Sequence, residues 1–324
     1  MAKFTPYPMK LKAPLKDYLW GGVRLKEDYG KETNLDKVAE SWELSCHKDG
    51  ESVIVNGREA GKTLTALTQE HAEVLGRRGA AFSYFPLLIK LIDAKDNLSV
   101  QVHPNNDYAL RVEGEYGKTE MWYIVDAEPG ASLLYGFKET ITPEEFARRI
   151  EDNTLLEVCN KVPVQKGDVF FIEAGTLHAI GAGILICEIQ QNSNTTYRIY
   201  DYGRVGSDGK PRQLHVDKAK EVTKLMPPTR DTKPLASIDL FPQAKAELLA
   251  ACEYFTVYHF NVQGEAILYA GEESFQAATV LKGKLTVTGG GESLALTPGD
   301  TVFLPANLQE YKISGEGEFI LSMV

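Results

Sequence analysis

Seven residues near the middle of the chain are almost repeated close to its end. Lys166-Gly-Asp-Val-Phe-Phe-Ile172 and Pro298-Gly-Asp-Thr-Val-Phe-Leu304 each set a Gly-Asp turn before a short apolar strand. Self-similarity of this kind implies two copies of one β unit. The copies diverge just after the strand. The first runs on through Gly175-Thr-Leu to His178, the second through Ala306-Asn-Leu-Gln to Glu310, and no histidine follows His259. A histidine metal site is therefore expected in the first copy alone.

The surrounding texture is β. Short runs of Val, Ile, Leu, Phe and Tyr, broken by Gly, Pro, Asn and Asp, predict strands at 52–55, 86–93, 98–103, 121–126, 131–136, 168–173 and 183–190, and again at 255–262, 278–288 and 294–304. Many short strands with frequent turns suit a sandwich, jelly roll or barrel. Helices are few. One is predicted over 143–151, with Thr142 as cap, Pro143 in the first turn and Glu145 completing a capping box. Another is predicted over 63–77, with Leu64, Leu67, His71, Val74 and Leu75 on one face. The proline-rich, charged stretch 224–242 lacks apolar periodicity and predicts a boundary, giving units 1–235 and 236–324. Gly289-Gly-Gly291 lacks the Lys-Ser or Lys-Thr of a phosphate loop and reads as a hairpin turn.

Charge narrows the partners. Among 324 residues, 35 Lys and Arg oppose 45 Asp and Glu, a balance of −10, so the overall field repels nucleic acid and anionic lipid, and a phosphorylated small molecule needs a local basic pocket. Neither the charged, proline-punctuated opening nor any later run matches an export signal or a membrane span, which predicts a cytoplasmic protein. Cys46, Cys159, Cys187 and Cys252 form no CxxC pair and read as reduced, structural thiols.

Three segments carry chemistry-bearing residues. On a strand, Ser99, Gln101 and His103 share one face while Val100 and Val102 take the other; that polar face is either a functional interior or the solvated side of a sheet. Lys118 and Glu120 share a face where a strongly apolar strand opens, and a buried acid there needs a counter-charge or a cation. The tight turn Gly175-Thr-Leu brings His178 back over the same sheet. Two imidazoles, a carboxylate and an amide oxygen make an N/O donor set of the kind zinc accepts. His47 reads as structural, His71 as packing, and His215 and His259 as non-ligands.

The order Gln-x-His, Lys-x-Glu, Gly-Thr-x-His resembles the cupin superfamily. The words Trp20-Gly-Gly22, Ala39-Glu-Ser-Trp-Glu43, Leu98-Ser-Val-Gln-Val-His-Pro104, Gly117-Lys-Thr-Glu-Met-Trp122 and Tyr197-Arg-Ile-Tyr-Asp-Tyr-Gly-Arg204 narrow it, over nearly the whole chain, to the short bacterial form of type I mannose-6-phosphate isomerases. The resemblance implies a mainly β fold of two cupin (jelly-roll) units with a few short helices, and one zinc per chain held by Gln101, His103, Glu120 and His178. It further implies a hexose 6-phosphate substrate and catalytic roles for Arg198, Glu188 and Lys118. Ser99 and Lys90 match substrate or phosphate contacts, although Lys90 within Leu-Leu-Ile-Lys-Leu-Ile also fits a structural, snorkelling lysine. Glu188 between apolar neighbours is the favoured proton carrier, on the expectation that burial raises its pKa; Lys118 or a bound water could serve instead. The expected assembly is a monomer or homodimer. Another metal-dependent cupin enzyme and a non-catalytic sugar-binding cupin are the competing readings. The helical insertion of larger family members is missing here, so contacts made by it do not transfer.

Overall fold

The structure, a computed structural model, describes residues 4–206, 209–239 and 241–324; the first three residues of the opening and Leu240 of the boundary stretch fall outside it. The first unit is a sandwich of two antiparallel sheets. A six-stranded sheet runs in the order Val169–Ile172, Glu120–Ala127, Ile184–Gln191, Leu87–Ala94, Glu40–Leu44, Leu15–Lys16, and faces a five-stranded sheet built around Ser132–Phe137, His178–Ala179 and Val100–Val102. Trp20, Ile92, Trp122, Ile124, Leu133, Phe170 and Ile186 fill the space between them.

The outer face of the six-stranded sheet is also covered. Ile89, Leu91, Met121, Tyr123, Cys187 and Ile189 point away from the sandwich and pack on Phe255, Val257, Phe275, Phe303 and Ile320 of the C-terminal sheet. Burial on both sides explains why Leu87–Ala94 and Ile184–Gln191 read as near-continuous apolar runs without alternation: every residue of both strands is buried. A polar residue in such a run, as at Lys90 or Glu188, therefore cannot face bulk solvent.

The C-terminal sheet has nine strands, and two of them come from the beginning of the chain. Met9–Lys12 pairs with Thr301–Leu304 and with Val53–Ile54. The boundary stretch is laid against the first unit, Val169 N donating to the Thr232 carbonyl at 2.9 Å, and then forms the strand Ala236–Ile238.

The repeated heptads adopt one geometry. Gly167 and Gly299 both have positive φ, 92° and 88°. Gly167 N donates to Ile124 O and Gly299 N to Val280 O, while Ile124 N and Val280 N return bonds to Asp168 O and Asp300 O, all at 2.9 Å. The register carries this equivalence across the sheets: Ile172 faces Glu120 where Leu304 faces Gln276, Glu188 faces Trp122 where Leu321 faces Ala278, and Lys90 faces Glu188 where Tyr258 faces Leu321. Position for position, the second unit holds an amide, a leucine and a tyrosine where the first holds charges.

Local expectations fared unevenly. The helix Pro143–Glu151 forms with Thr142 Oγ1 accepting from Glu145 N at 3.1 Å. The stretch 63–77 is not one helix: Leu64–Glu70 is helical, Ala72–Leu75 is a 3₁₀ turn, and Gly76 at φ 73° starts a separate turn. Tertiary contact decides this, because Gly76 lies against the Glu273–Ser274 backbone and Arg77 N and Arg78 N donate to Glu272 O and Glu273 O. The segment 294–304 divides at the Pro298-Gly299 turn into Glu292–Leu296 and Thr301–Leu304. Gly289–Gly291 closes a hairpin, with Gly289 opposite Glu292. Among the described residues no helix is long and apolar enough to cross a membrane, and all four cysteines are free thiols.

The two turn glycines supply a stability test. A Cβ at Gly299 would overlap the Tyr29 carbonyl oxygen, whereas nothing lies within 4 Å of one at Gly167. Gly167→Ala should cost about 1–3 kcal/mol from backbone strain alone, and Gly299→Ala should cost more. Urea unfolding of the two variants measures both, and equal costs would contradict the tight docking of Gly299.

Candidate metal centre and cavity

The strand Val100–Val102 buries both valines in the apolar layer beneath it and turns Ser99, Gln101 and His103 inward. Gln101 lies opposite His178 on one side and Arg198 on the other. The polar face of this strand is thus interior. Glu120, first residue of its strand, comes up beside it, and His103, Glu120 and His178 present ligand atoms all within 4.8 Å of one another, all three buried.

The imidazoles are aimed by their outer nitrogens. His103 Nδ1 donates to the Thr195 carbonyl and His178 Nδ1 to the Thr176 carbonyl, each at 2.9 Å. Carbonyls only accept, so the proton sits on Nδ1 in both rings and both Nε2 atoms are left as lone-pair acceptors near Glu120. They lie 3.8 Å and 3.4 Å from its oxygens. Burial and the Lys118 charge hold His103 well below the usual histidine range, and burial pushes His178 down to about 4; both are neutral and ligand-competent. Lys118 Nζ comes to 2.6 Å of Glu120 Oε2, yet neither Glu120 oxygen has a donor at hydrogen-bonding geometry. Burial, reinforced by the Glu188 charge, pushes Glu120 up to about 8. Two neutral nitrogens and an underserved carboxylate, enclosed together, fit a divalent cation. An entering cation must displace two donors: Lys118 Nζ is 3.2 Å from His103 Nε2, and Gln101 Nε2 is 3.3 Å from His178 Nε2. Gln101 offers its oxygen only after an amide rotation, because Oε1 now accepts from Ser99 Oγ at 3.3 Å.

A cavity of about 260 Å³ opens beside this group, lined by Glu40, Lys90, Ser99, Gln101, Lys118, Glu188, Asn194, Arg198 and Arg212 among others. Lys90 and Glu188 are cross-strand neighbours on its buried floor. Lys90 Nζ is 3.2 Å from Glu188 and 3.6 Å from Glu40, and sits over the Trp42 ring. Trp122 Nε1 donates to Glu188 Oε2 at 2.8 Å, while Oε1 lacks a donor. The expectation that burial raises the Glu188 pKa fails: burial acts in that direction, but Lys118 and Lys90 outweigh it and hold the carboxyl down at about 2. The two ammonium groups thus favour the ionised form of Glu188.

Arg198 and Arg212 supply positive charge among the lining residues. Arg198 Nε donates to Ser99 Oγ at 3.3 Å and Nη1 to the Gln213 carbonyl at 2.8 Å; burial and then the neighbouring Arg212 lower its pKa from the usual arginine value. Arg212, held through Nε by Asp201 at 2.7 Å, is a residue the sequence reading missed, and so is Glu40 as a floor carboxylate. Of the other histidines, His47 borders a separate cavity with Phe82, Tyr84 and Tyr116. His215 Nδ1 accepts from Arg198 N, His71 packs on Phe4, and His259 stacks on Tyr123.

Comparison with known proteins agrees with this architecture. The family model for the catalytic domain of type I phosphomannose isomerase matches residues 9–126, and that for the cupin domain of mannose-6-phosphate isomerase matches 245–324. The chain is 38% identical to the mannose-6-phosphate isomerase of Streptococcus mutans, over 97% of this chain and 98% of the relative, and 39% identical to mannose-6-phosphate isomerase ManA of Bacillus subtilis, over 98% and 99%. The crystal structure of a mannose 6-phosphate isomerase from Bacillus subtilis superposes with a TM-score of 0.90 at 35% identity, covering 98% of this chain and 99% of that one.

The Glu120 carboxyl gives a pH test. Its folded pKa of about 8 exceeds the ordinary 4.5, so the folded state keeps a proton that the unfolded chain has released. The associated stability is fully present below 4.5 and is lost as pH rises through about 8. Without metal, urea midpoints should fall between about pH 6 and pH 8, and a divalent cation should restore stability most at the upper end. Glu120→Gln should flatten the metal-free decline; an unchanged slope would contradict the assignment.

Proposed function

The chain belongs to the type I mannose-6-phosphate isomerase family, and from that premise we propose that it interconverts mannose 6-phosphate and fructose 6-phosphate with one zinc per chain. The observation that carries the reading is the convergence of two Nδ1-anchored imidazoles on the buried Glu120 carboxylate, beside a cavity lined by both arginines and lysines. His103, Glu120 and His178 would hold the metal, with the Gln101 amide oxygen as a further donor. Bound zinc would act as a Lewis acid toward the sugar oxygens, lowering the cost of enediolate charge.

The protein's own groups divide the remaining work. Arg198 and Arg212 supply the local positive charge that a net balance of −10 withholds, and their planar guanidinium groups suit a phosphate. Ser99, hydrogen-bonded to Arg198 and Gln101, contacts the substrate between them. Lys90 is already paired to Glu40 and Glu188, which favours a role in holding the floor charge over a direct phosphate contact.

Moving the carbonyl between C1 and C2 requires a proton to leave one carbon and reach the other. Glu188 Oε1, ionised and without a donor, is the acceptor we favour. It is a weak base while both lysines face it, and it strengthens as Lys118, 3.7 Å away, is drawn toward the developing enediolate oxygen. Arg198 adds fixed positive charge to the same intermediate.

We divide the chain at residue 235, with a catalytic cupin before it and a second cupin, 236–324, serving to pack and close the first. We read the enzyme as a cytoplasmic monomer or homodimer.

Purified protein should convert mannose 6-phosphate to fructose 6-phosphate, lose that activity to a chelator and regain it with zinc; zinc-loaded, folded protein without turnover would sink the proposal. His178→Ala should lose zinc and rate together. Arg198→Ala should keep zinc and lose turnover by at least about 100-fold.

A further inference from the structure

The strand Ile184–Gln191 ends in two buried glutamines. Neighbouring strand residues point to opposite faces, so the two amides reach different segments. Gln190 Nε2 donates to the Gln191 carbonyl at 2.8 Å and the Ser193 carbonyl at 2.6 Å. These bonds fix the turn that follows. Within it Ser193 Oγ accepts from Thr195 N at 3.2 Å, and the Thr195 carbonyl is the group that accepts from His103 Nδ1. Gln191 works in the other direction. Its Oε1 accepts from Thr119 N at 2.9 Å, the peptide between Lys118 and Glu120, and its Nε2 donates to Asn106 Oδ1 at 2.9 Å, which also accepts from Gly117 N.

We propose that the Gln190-Gln191 pair is the positioning element of the metal centre, Gln190 setting the His103 ring through the 193–195 turn and Gln191 setting the Lys118–Glu120 segment. The inference rests on the reading of His103, Glu120 and His178 as metal ligands. An imidazole left to rotate, or a carboxylate on a loose strand end, meets a cation at the wrong angle, and outer hydrogen bonds remove that freedom. Amides suit the task because each supplies donors and an acceptor without adding charge. Neutrality matters here, since Gln190 is the register partner of Glu120, and a further charge there would disturb the buried Lys118–Glu120 pair. Gln190 Oε1 has no donor, a cost that a methionine of similar length would not carry; the two bonds made by Nε2 are what the amide gives in return.

The test uses the full chain, stripped of metal, with two readouts besides turnover: zinc affinity by competition with a chromogenic chelator, and the visible absorption bands of the cobalt-loaded protein. Gln190→Met and Gln191→Met should each weaken zinc binding about 10–100-fold and move the cobalt bands, while the metal-free melting temperature stays close to the parent's. Parental affinity and parental bands in both variants would overturn the proposal. His103→Ala, run in parallel, isolates the premise: if that variant still binds zinc stoichiometrically at parental affinity, the ligand assignment has failed and not the positioning. Should either methionine variant fail to fold, Ser193→Ala, which removes only the acceptor for Thr195 N, and Asn106→Ala, which removes the anchor of Gln191, decide the two arms. Unchanged zinc affinity and cobalt bands in both would again overturn it.

Discussion

Charges do not leave water singly, and the site is organised around that constraint. Glu40, Glu120 and Glu188 share one enclosed floor with Lys90 and Lys118. Counted at full charge, one negative is in excess. The imbalance falls on Glu120, whose pKa burial and the Glu188 charge raise, while Lys118 and Lys90 hold that of Glu188 down. A dication would reverse the sign, leaving one positive charge that favours an anionic sugar intermediate. The tryptophan donors matter for the same reason, since Trp42 Nε1 holds Glu40 at 2.7 Å and Trp122 Nε1 holds Glu188, fixing the carboxylates against the lysines.

Much of the site was legible because strand alternation is a strong constraint. Ser99, Gln101 and His103 must share a face, but alternation alone left open whether it was interior, and the facing sheet decides that, since Val100 and Val102 are buried on the other side as well. What the sequence could not convey was the balance of electrostatics in three dimensions. Glu188 looked like an isolated buried acid because its two lysines lie on other segments, one of them directly across the sheet. Arg212 escaped notice since it reaches the cavity from a loop, where no periodicity marks it. The stretch 63–77 misled for a related reason: its apolar face is helical in spacing, but Gly76 answers to a backbone contact almost two hundred residues away.

The internal repeat shows how one scaffold separates architecture from chemistry. Gly-Asp turns, register and apolar layering are the same in both units, and the polar atoms are not. Where a buried carboxylate, a second carboxylate and a lysine stand in one, Gln276, Leu321 and Tyr258 stand in the other. Its interior is then an ordinary hydrophobic core, with Phe260 and Phe319 stacked at 4.8 Å. With no charge at these three positions, the second unit has no desolvation to offset there and can act as a firm backing for the one that does.

The pairing of Met9 with Phe303 also governs the order of events during synthesis. The earlier of the two strands finds its partner only after the nearly three hundred residues between them have been made, which raises the contact order and slows completion of that sheet. Until then the apolar outer face of the catalytic sheet has no cover, and the nascent chain carries an adhesive surface of the kind that aggregates or recruits chaperones. Completion of the sheet is thereby coupled to translation of Thr301–Leu304.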